Sequence, residues 1–140
     1  MDTVGEFPCE SVSSPAVHPS AQAVRERVVQ AVTAQPRPVS PMIGLRFHTM
    51  LGLGRDCVLV HGGRHFKSKD NISGTLFAFA RIGRSKSSWF EVPLDEKVFR
   101  FGHQIALTDD GRLISVGGFS SDSDKNVAPT QEIKICTQQN

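Results

Sequence analysis

The sequence has few of the residues on which several protein classes depend. Its 140 residues include no tyrosine, one tryptophan and three cysteines. The cysteines, Cys9, Cys57 and Cys136, are far apart, odd in number and without a CxxC pair. This pattern argues against a zinc ribbon, a thioredoxin motif and a disulfide framework. It favours a reducing compartment.

Long hydrophobic runs and an excess of one charge are also missing. No stretch approaches the roughly 18 apolar residues that span a bilayer, and the N-terminus lacks the basic and apolar regions of a signal peptide. The net charge is +2, with lysine and arginine spread along the chain, whereas nucleic-acid-binding domains concentrate basic residues on one face. We therefore expect a cytoplasmic protein without membrane contact, and a nuclear location stays open.

Motifs for catalysis or for metal and cofactor binding are absent as well. There is no G-x-S-x-G elbow, P-loop or HExxH sequence. His61 and His65 have the spacing of a helical metal pair, but Gly62 and Gly63 between them disfavour a helix. The sequence predicts no catalytic residue, no metal ligand and no cofactor.

Residues 1–41 differ in composition from the rest of the chain. They contain six of the eight prolines but one of the twelve glycines, so we expect a disordered or partly helical leader, with the remaining residues, 42–140, as a separate domain. Within the leader, Val24, Val28 and Val32 recur at helical spacing after Ser20, a candidate N-cap, and Pro36 would end the helix. The pattern leaves open a solvated helix or one that docks on a partner.

After residue 41 the sequence alternates between short apolar runs and glycine-rich turns, which is typical of an all-β fold. The predicted strands cover residues 57–61, 75–80, 89–92, 113–116 and 131–135. Two of them end in a double glycine, in the runs VLVHGG and LISVGG.

These runs belong to an internal repeat. His48 and His103 are 55 residues apart, and so are Gly63 and Gly118. Each histidine closes a short motif, RFH or RFGH, that precedes a strand, a turn and a strand ending in the double glycine. Two separate landmarks with one period indicate a repeat architecture.

The repeat resembles the kelch family, whose repeats are about 50 residues long and form blades of a β-propeller. The resemblance implies an all-β, partial kelch-type propeller of about two blades over residues 42–140. The residues that carry the motif are His48, Gly62, Gly63, Trp89, His103, Gly117 and Gly118. In this interpretation the glycines allow close backbone approach, Trp89 packs between blades, and the two histidines each make a structural hydrogen bond.

The runs FHTM, VLVHGGR and RFGH…LISVGGF are also similar to the kelch region of the tRNA wybutosine-synthesising leucine carboxyl methyltransferase family. This similarity implies an alternative, in which the chain is the kelch portion of a tRNA-modifying enzyme and meets RNA through a larger parent protein. Copper-radical oxidases also have kelch-like propellers, but their chemistry requires tyrosine, which this sequence lacks.

The primary functional hypothesis is a non-enzymatic module that binds a protein partner through its loops. Two basic segments are the candidate contact surface, for an acidic protein or an RNA backbone. The candidate binding residues are Arg64, His65, Lys67, Lys69, Arg84 and Lys86. Because two blades leave apolar faces and strand edges uncovered, we also expect the isolated chain to self-associate.

Overall fold

A computed structural model describes residues 18–40, 44–65, 71–120 and 127–137. These residues form one helix and nine strands in antiparallel sheets, none of which closes into a ring. The elements in chain order are α1 (Pro19–Ala34), β1 (Leu45–Arg46), β2 (Thr49–Gly52), β3 (Cys57–His61), β4 (Arg64–His65), β5 (Leu76–Ala80), β6 (Ser88–Val92), β7 (Gln104–Leu107), β8 (Leu113–Val116) and β9 (Gln131–Glu132). The predicted all-β, partial propeller fold is confirmed.

The first blade is a four-stranded sheet in the order β2-β3-β5-β6. The second blade has the order β7-β8-β9. In the first blade, Thr49 pairs with His61, and in the second, Gln104 pairs with Val116. All four pairs of each inner hairpin keep this 55-residue offset. The repeat seen in the sequence is therefore a repeat of strand register.

The inner hairpin of each blade (β2–β3 or β7–β8) is flanked by a short arm, which pairs the segment just before the hairpin with the segment just after it. The arm repeats with the same 55-residue offset. In the first copy, β1 pairs with β4 through Arg46 and Arg64. In the second copy, Phe101 pairs with Phe119 in an isolated bridge, closed by hydrogen bonds of 3.0 and 2.9 Å between their backbone amides and carbonyls. Each arm places its residues at the end of the blade where the double glycine lies.

The two glycines of each pair have different neighbours. A β-carbon on the second glycine, Gly63 or Gly118, would meet the arm of its own blade, at 2.9 Å from the Arg46 carbonyl or 2.7 Å from the Phe101 carbonyl. A β-carbon on the first glycine, Gly62, would instead lie 2.5 Å from the Arg100 carbonyl of the segment that leads into the next blade. The second glycine thus closes a blade, and the first lets two blades meet.

Backbone hydrogen bonds join the blades at this point. The Gly63 amide donates to the Arg100 carbonyl at 2.8 Å, and the Gly102 amide donates to the Phe47 carbonyl at 2.9 Å. Apolar residues from the facing sheets, including Leu59 and Ile105, continue into one hydrophobic core. The described residues therefore form two blades packed face to face.

Helix α1 belongs to this core. Val24, Val28 and Val32 are fully buried and pack in the same hydrophobic cluster as residues from both blades. The Arg27 guanidinium donates to the Gly111 carbonyl in the β7–β8 turn. The helix was correctly predicted, but the solvated alternative is wrong for residues 19–34, because their apolar face covers the sheets.

The helix begins two residues earlier than the sequence indicated. His18, not Ser20, is the N-cap, and its Nδ1 accepts from the Ser20 amide at 3.1 Å. Pro19 takes the first helical turn, where the missing amide hydrogen costs nothing. At the other end Gln35 caps the helix before Pro36, as predicted. Among the described helices none is long and apolar enough to cross a membrane.

Two further predictions need correction. Trp89 does not pack between the two blades: its strand partner is Phe79, with ring centroids 5.2 Å apart, on the face of the first blade that points away from the second. His48 is exposed, and its side chain makes no hydrogen bond to another described residue. Both residues occupy positions that only a preceding blade would cover.

Replacing the buried valine at the centre of α1 should destabilise the whole chain. We expect Val28→Ala to lower the free energy of unfolding by about 2 kcal/mol, since it opens a cavity between helix and sheets. The matched control Gln30→Ala changes an exposed residue of the same helix and should change stability by less than about 0.5 kcal/mol. Urea denaturation followed by circular dichroism measures both, and equal midpoints would contradict the packed helix.

The first glycine of each double glycine, Gly62 or Gly117, provides a second matched pair of variants for measuring stability. Gly62 and Gly117 are equivalent in the repeat and have similar positive φ angles, 75° and 69°, but a β-carbon on Gly117 would meet nothing within 4 Å. Both alanine variants carry the left-handed penalty of about 1 kcal/mol. Only Gly62→Ala also clashes, which should cost about 2 kcal/mol more. Equal losses of stability in dilute protein would show that the blades do not meet at Gly62.

Candidate functional site

An aromatic pocket opens at the end of the molecule where the two arms lie. Its lining consists of Phe47, Arg64, Phe101, Gly102 and Phe119, and its volume is about 270 Å³. Phe47 and Arg64 come from the arm of the first blade, and the others come from the arm of the second. We name this group the arm pocket. It is a surface that only the packing of two blades creates.

The arm pocket contains a backbone conformation that its side chain disfavours. Phe47 has φ of 60° and is the only residue other than glycine with positive φ in the described parts of the chain. Its repeat equivalent, Gly102, has φ of 65°. Such a conformation costs a residue with a β-carbon roughly 1–2 kcal/mol. Because the Phe47 side chain is 59% exposed, burial does little to offset this cost. Strain held at an exposed aromatic residue indicates a functional position.

The rings and the guanidinium of the arm pocket are in direct contact. The Phe101 ring lies 6.4 Å from the Phe47 centroid and 5.6 Å from the Phe119 centroid. The Arg64 guanidinium carbon lies 4.7 Å from the Phe101 centroid, within the range of a cation–π interaction. The pocket therefore offers an apolar surface with one positive charge at its wall.

The structure separates the predicted basic residues. Arg64 lines the arm pocket, and His65 is half-buried in β4, paired with Leu45. Arg84 and Lys86 are exposed in the β5–β6 turn, at the opposite end of the first blade. Lys67 and Lys69 lie outside the described residues. Of the four described residues, Arg64 and His65 are neighbours in β4. Arg84 and Lys86 lie at the far end of the blade, so the four do not form one basic surface.

The aromatic residues of the arm pocket were not identified as functional from the sequence. Phe47 and Phe101 were seen only as parts of the RFH and RFGH motifs, and Phe119 only as the residue after a double glycine. A signal was present, since the repeat aligns Phe47 with Gly102. A large residue at a position where the other copy has glycine marks a site that the fold alone does not require.

A buried histidine pair lies at the contact between the blades. His61 Nδ1 and His103 Nε2 are 2.8 Å apart, so one ring donates and the other accepts. Burial, and then the His103 and Arg100 charges, lower the pKa of His61 to about 3, partly offset by the Val98 carbonyl. Burial and Arg100 lower the pKa of His103 to about 4. The predicted structural hydrogen bond thus exists for His103, but it joins two blades.

The described residues also include a buried cysteine. Cys57 is buried, which raises the pKa of its thiol to about 11 and disfavours the thiolate. In the ranges that the structure covers, no cluster of three or more histidine, cysteine or acidic residues is placed to hold a metal ion. The arm pocket therefore offers an apolar binding surface that brings both arms together.

Acid should weaken the contact between the blades. Both histidine pKa values lie below the usual 6.5, so the unfolded chain binds more protons below that pH. The contribution of the neutral histidines to the free energy of unfolding is thus complete above pH 6.5. It falls as the pH drops through the window down to about 4 for His103 and about 3 for His61, by up to about 1.4 kcal/mol per pH unit for each histidine. Urea titrations at several pH values measure this slope. His103→Gln should flatten it, whereas His48→Gln, an exposed equivalent, should not; equal slopes in all three proteins would contradict the assignment.

A scan against protein-family models found no match, and a search of curated proteins likewise found none.

Proposed function

We propose that this chain is a non-enzymatic, kelch-type propeller module that binds a protein partner through the arm pocket. The observation that carries the proposal is Phe47, a phenylalanine in a left-handed, exposed position, which completes an aromatic wall across two blades. The kelch assignment is supported by the 55-residue repeat of strand register and by the double glycines that close each blade.

The lining of the arm pocket favours recognition over catalysis. Its side chains are three phenylalanines and an arginine, which include no nucleophile and no group that exchanges a proton near neutral pH. Its volume of about 270 Å³ lies just below the usual range for small-molecule sites, which begins at about 300 Å³. A cavity of this size suits one anchoring side chain of a partner rather than an extended cofactor.

The chemistry of the wall defines the partner segment. An aromatic or large aliphatic side chain would pack on Phe101 and Phe119, since aromatic pairs gain contact energy in tilted arrangements. Arg64 would face an aspartate or glutamate next to that anchor, because a guanidinium pairs well with carboxylates. The proposed ligand is therefore a short peptide segment with an apolar residue beside an acidic one. The relation to tRNA-modifying methyltransferases stays a prediction, since no described contact bears on it.

Selection from a random peptide library on the immobilised chain tests this specificity. Peptides that carry an aromatic or large aliphatic residue beside an acidic one should be enriched. Phe119→Ala should weaken the enriched peptides about tenfold, the loss of one anchoring contact, and Arg64→Gln should weaken them only when the acidic residue is present. The proposal fails if no peptide is enriched, or if those enriched bind both variants as tightly as the original chain.

We expect the Phe47 side chain to lower the stability of the fold while it strengthens peptide binding. Phe47→Gly relieves the left-handed strain and should raise the free energy of unfolding by roughly 0.5–1 kcal/mol after the entropy cost of glycine. Phe47→Ala, the matched control, keeps a β-carbon in the same conformation and should not stabilise the chain. Both remove the ring and should weaken the selected peptides to the same extent. Thermal unfolding with peptide titration checks this, and a destabilised Phe47→Gly variant would exclude a strained functional residue.

A further inference from the structure

Each blade has one face packed against the other blade and one face left exposed. Residues at equivalent positions of the repeat show this difference. Met50 in β2 is 61% exposed, but its repeat equivalent Ile105 in β7 is 5% exposed, because Ile105 faces the first blade. His61 in β3 is fully buried, but its equivalent Val116 in β8 is 40% exposed. The difference comes from the neighbouring blade, since the strand register is the same in both copies.

The exposed face of the first blade is mostly apolar, with one charged residue. Directly paired residues of an antiparallel sheet lie on one face, and so do alternate residues of a strand. Met50 therefore shares its face with Val58, Val60, Phe77, Phe79 and Trp89, and also with Glu91, which pairs with Phe77. Glu91 lies 4.0 Å from Arg37 and from Lys97, so its charge is compensated within the chain. We name this set the front face. It is the equivalent of the Ile105 face of the second blade, which is already packed within the chain.

The exposed face of the second blade is the natural counterpart. It consists of Gln104, Ala106, Ile114, Val116 and Glu132, which pairs with Ile114. We name this set the rear face. It is the equivalent of the His61 face of the first blade, which receives the second blade within the chain. Within the molecule, one face of this front type already packs on one face of this rear type. The front face of the first blade and the rear face of the second blade are both left without such a partner face.

From this arrangement we propose that two copies of the chain associate head to tail, the front face of one on the rear face of the next. The internal contact supplies the geometry: in the assembly His48 of one copy lies against Gly117 of the next, as His103 lies against Gly62 within the chain. A second copy is the occupant because it presents the same repeat with the same register, and the contact continues the existing stack of blades.

The symmetry of the contact separates this assembly from other forms of association. A front-to-rear contact is heterologous, so each copy keeps one front face and one rear face to offer, and the same rotation repeats from copy to copy. An isologous dimer would instead pair front with front or rear with rear. Association of this kind hides apolar surface that a soluble monomer seldom exposes. The two faces themselves contain none of the three phenylalanines of the arm pocket.

Complementary variants test the direction of the contact. Met50→Asp spoils the front face and Val116→Lys spoils the rear face, and both positions are exposed, so both variants should fold. Native mass spectrometry and light scattering should show that the original chain associates with rising concentration. Each variant alone should raise the apparent dissociation constant about tenfold or more. An equal mixture of the two should recover a heterodimer, because one intact front face meets one intact rear face.

Further variants provide the controls. Asp109→Lys changes the charge of an exposed turn outside both faces and should associate as the original chain does. Gly117→Ala should weaken association without changing the apolar surface, because its β-carbon would meet the next copy. A monomeric original chain at every concentration tested would overturn the proposal. So would undiminished self-association of either Met50→Asp or Val116→Lys alone, since that result excludes a front-to-rear contact.

Discussion

The close approach of backbone to glycine at the end of each blade is the constraint on which the structure depends. Gly63 and Gly118 each allow the arm of their own blade to lie within 3 Å of the position of a β-carbon, and this contact fixes the arm against the inner hairpin. Gly62 allows the same approach from the next blade. No larger residue could take these positions, because it would combine a left-handed backbone with a clash against a carbonyl group. The double glycine therefore sets both the shape of a blade and the distance between blades.

The candidate site arises from a difference between the two copies of this motif. Both arms pass through a left-handed residue, which is Gly102 in one and Phe47 in the other. The fold needs only the backbone conformation, and glycine supplies it without strain. The aromatic ring of Phe47 adds a wall to a pocket that Phe101 and Phe119 begin. The cost in conformational energy and the gain in binding surface thus occur at the same residue, and this supports a role in recognition rather than in folding.

The helix and the histidine pair stabilise the contact between blades from two sides. Val24 and Val28 cover the hydrophobic cluster that both sheets share, so α1 belongs to the propeller core although its sequence precedes the repeat. At the other end, His61 and His103 are neutral and joined by a hydrogen bond, which makes the contact sensitive to acid. The two faces that meet in this contact each have a repeat equivalent that is exposed, namely the front face and the rear face. The proposed association between chains would therefore repeat, on equivalent faces, the stacking that exists within the chain.

The sequence by itself determined the β class, the 55-residue period, the position of α1 and the strands at residues 57–61 and 113–116, because apolar spacing and glycine placement are local and follow the backbone period. It did not determine that Trp89 faces away from the second blade, that His18 rather than Ser20 caps the helix, or that Phe47 and Phe119 share a pocket. Those outcomes depend on which elements become neighbours. Equivalent residues such as Met50 and Ile105 have the same local pattern and opposite exposure, and only the packing of one blade on another decides between them.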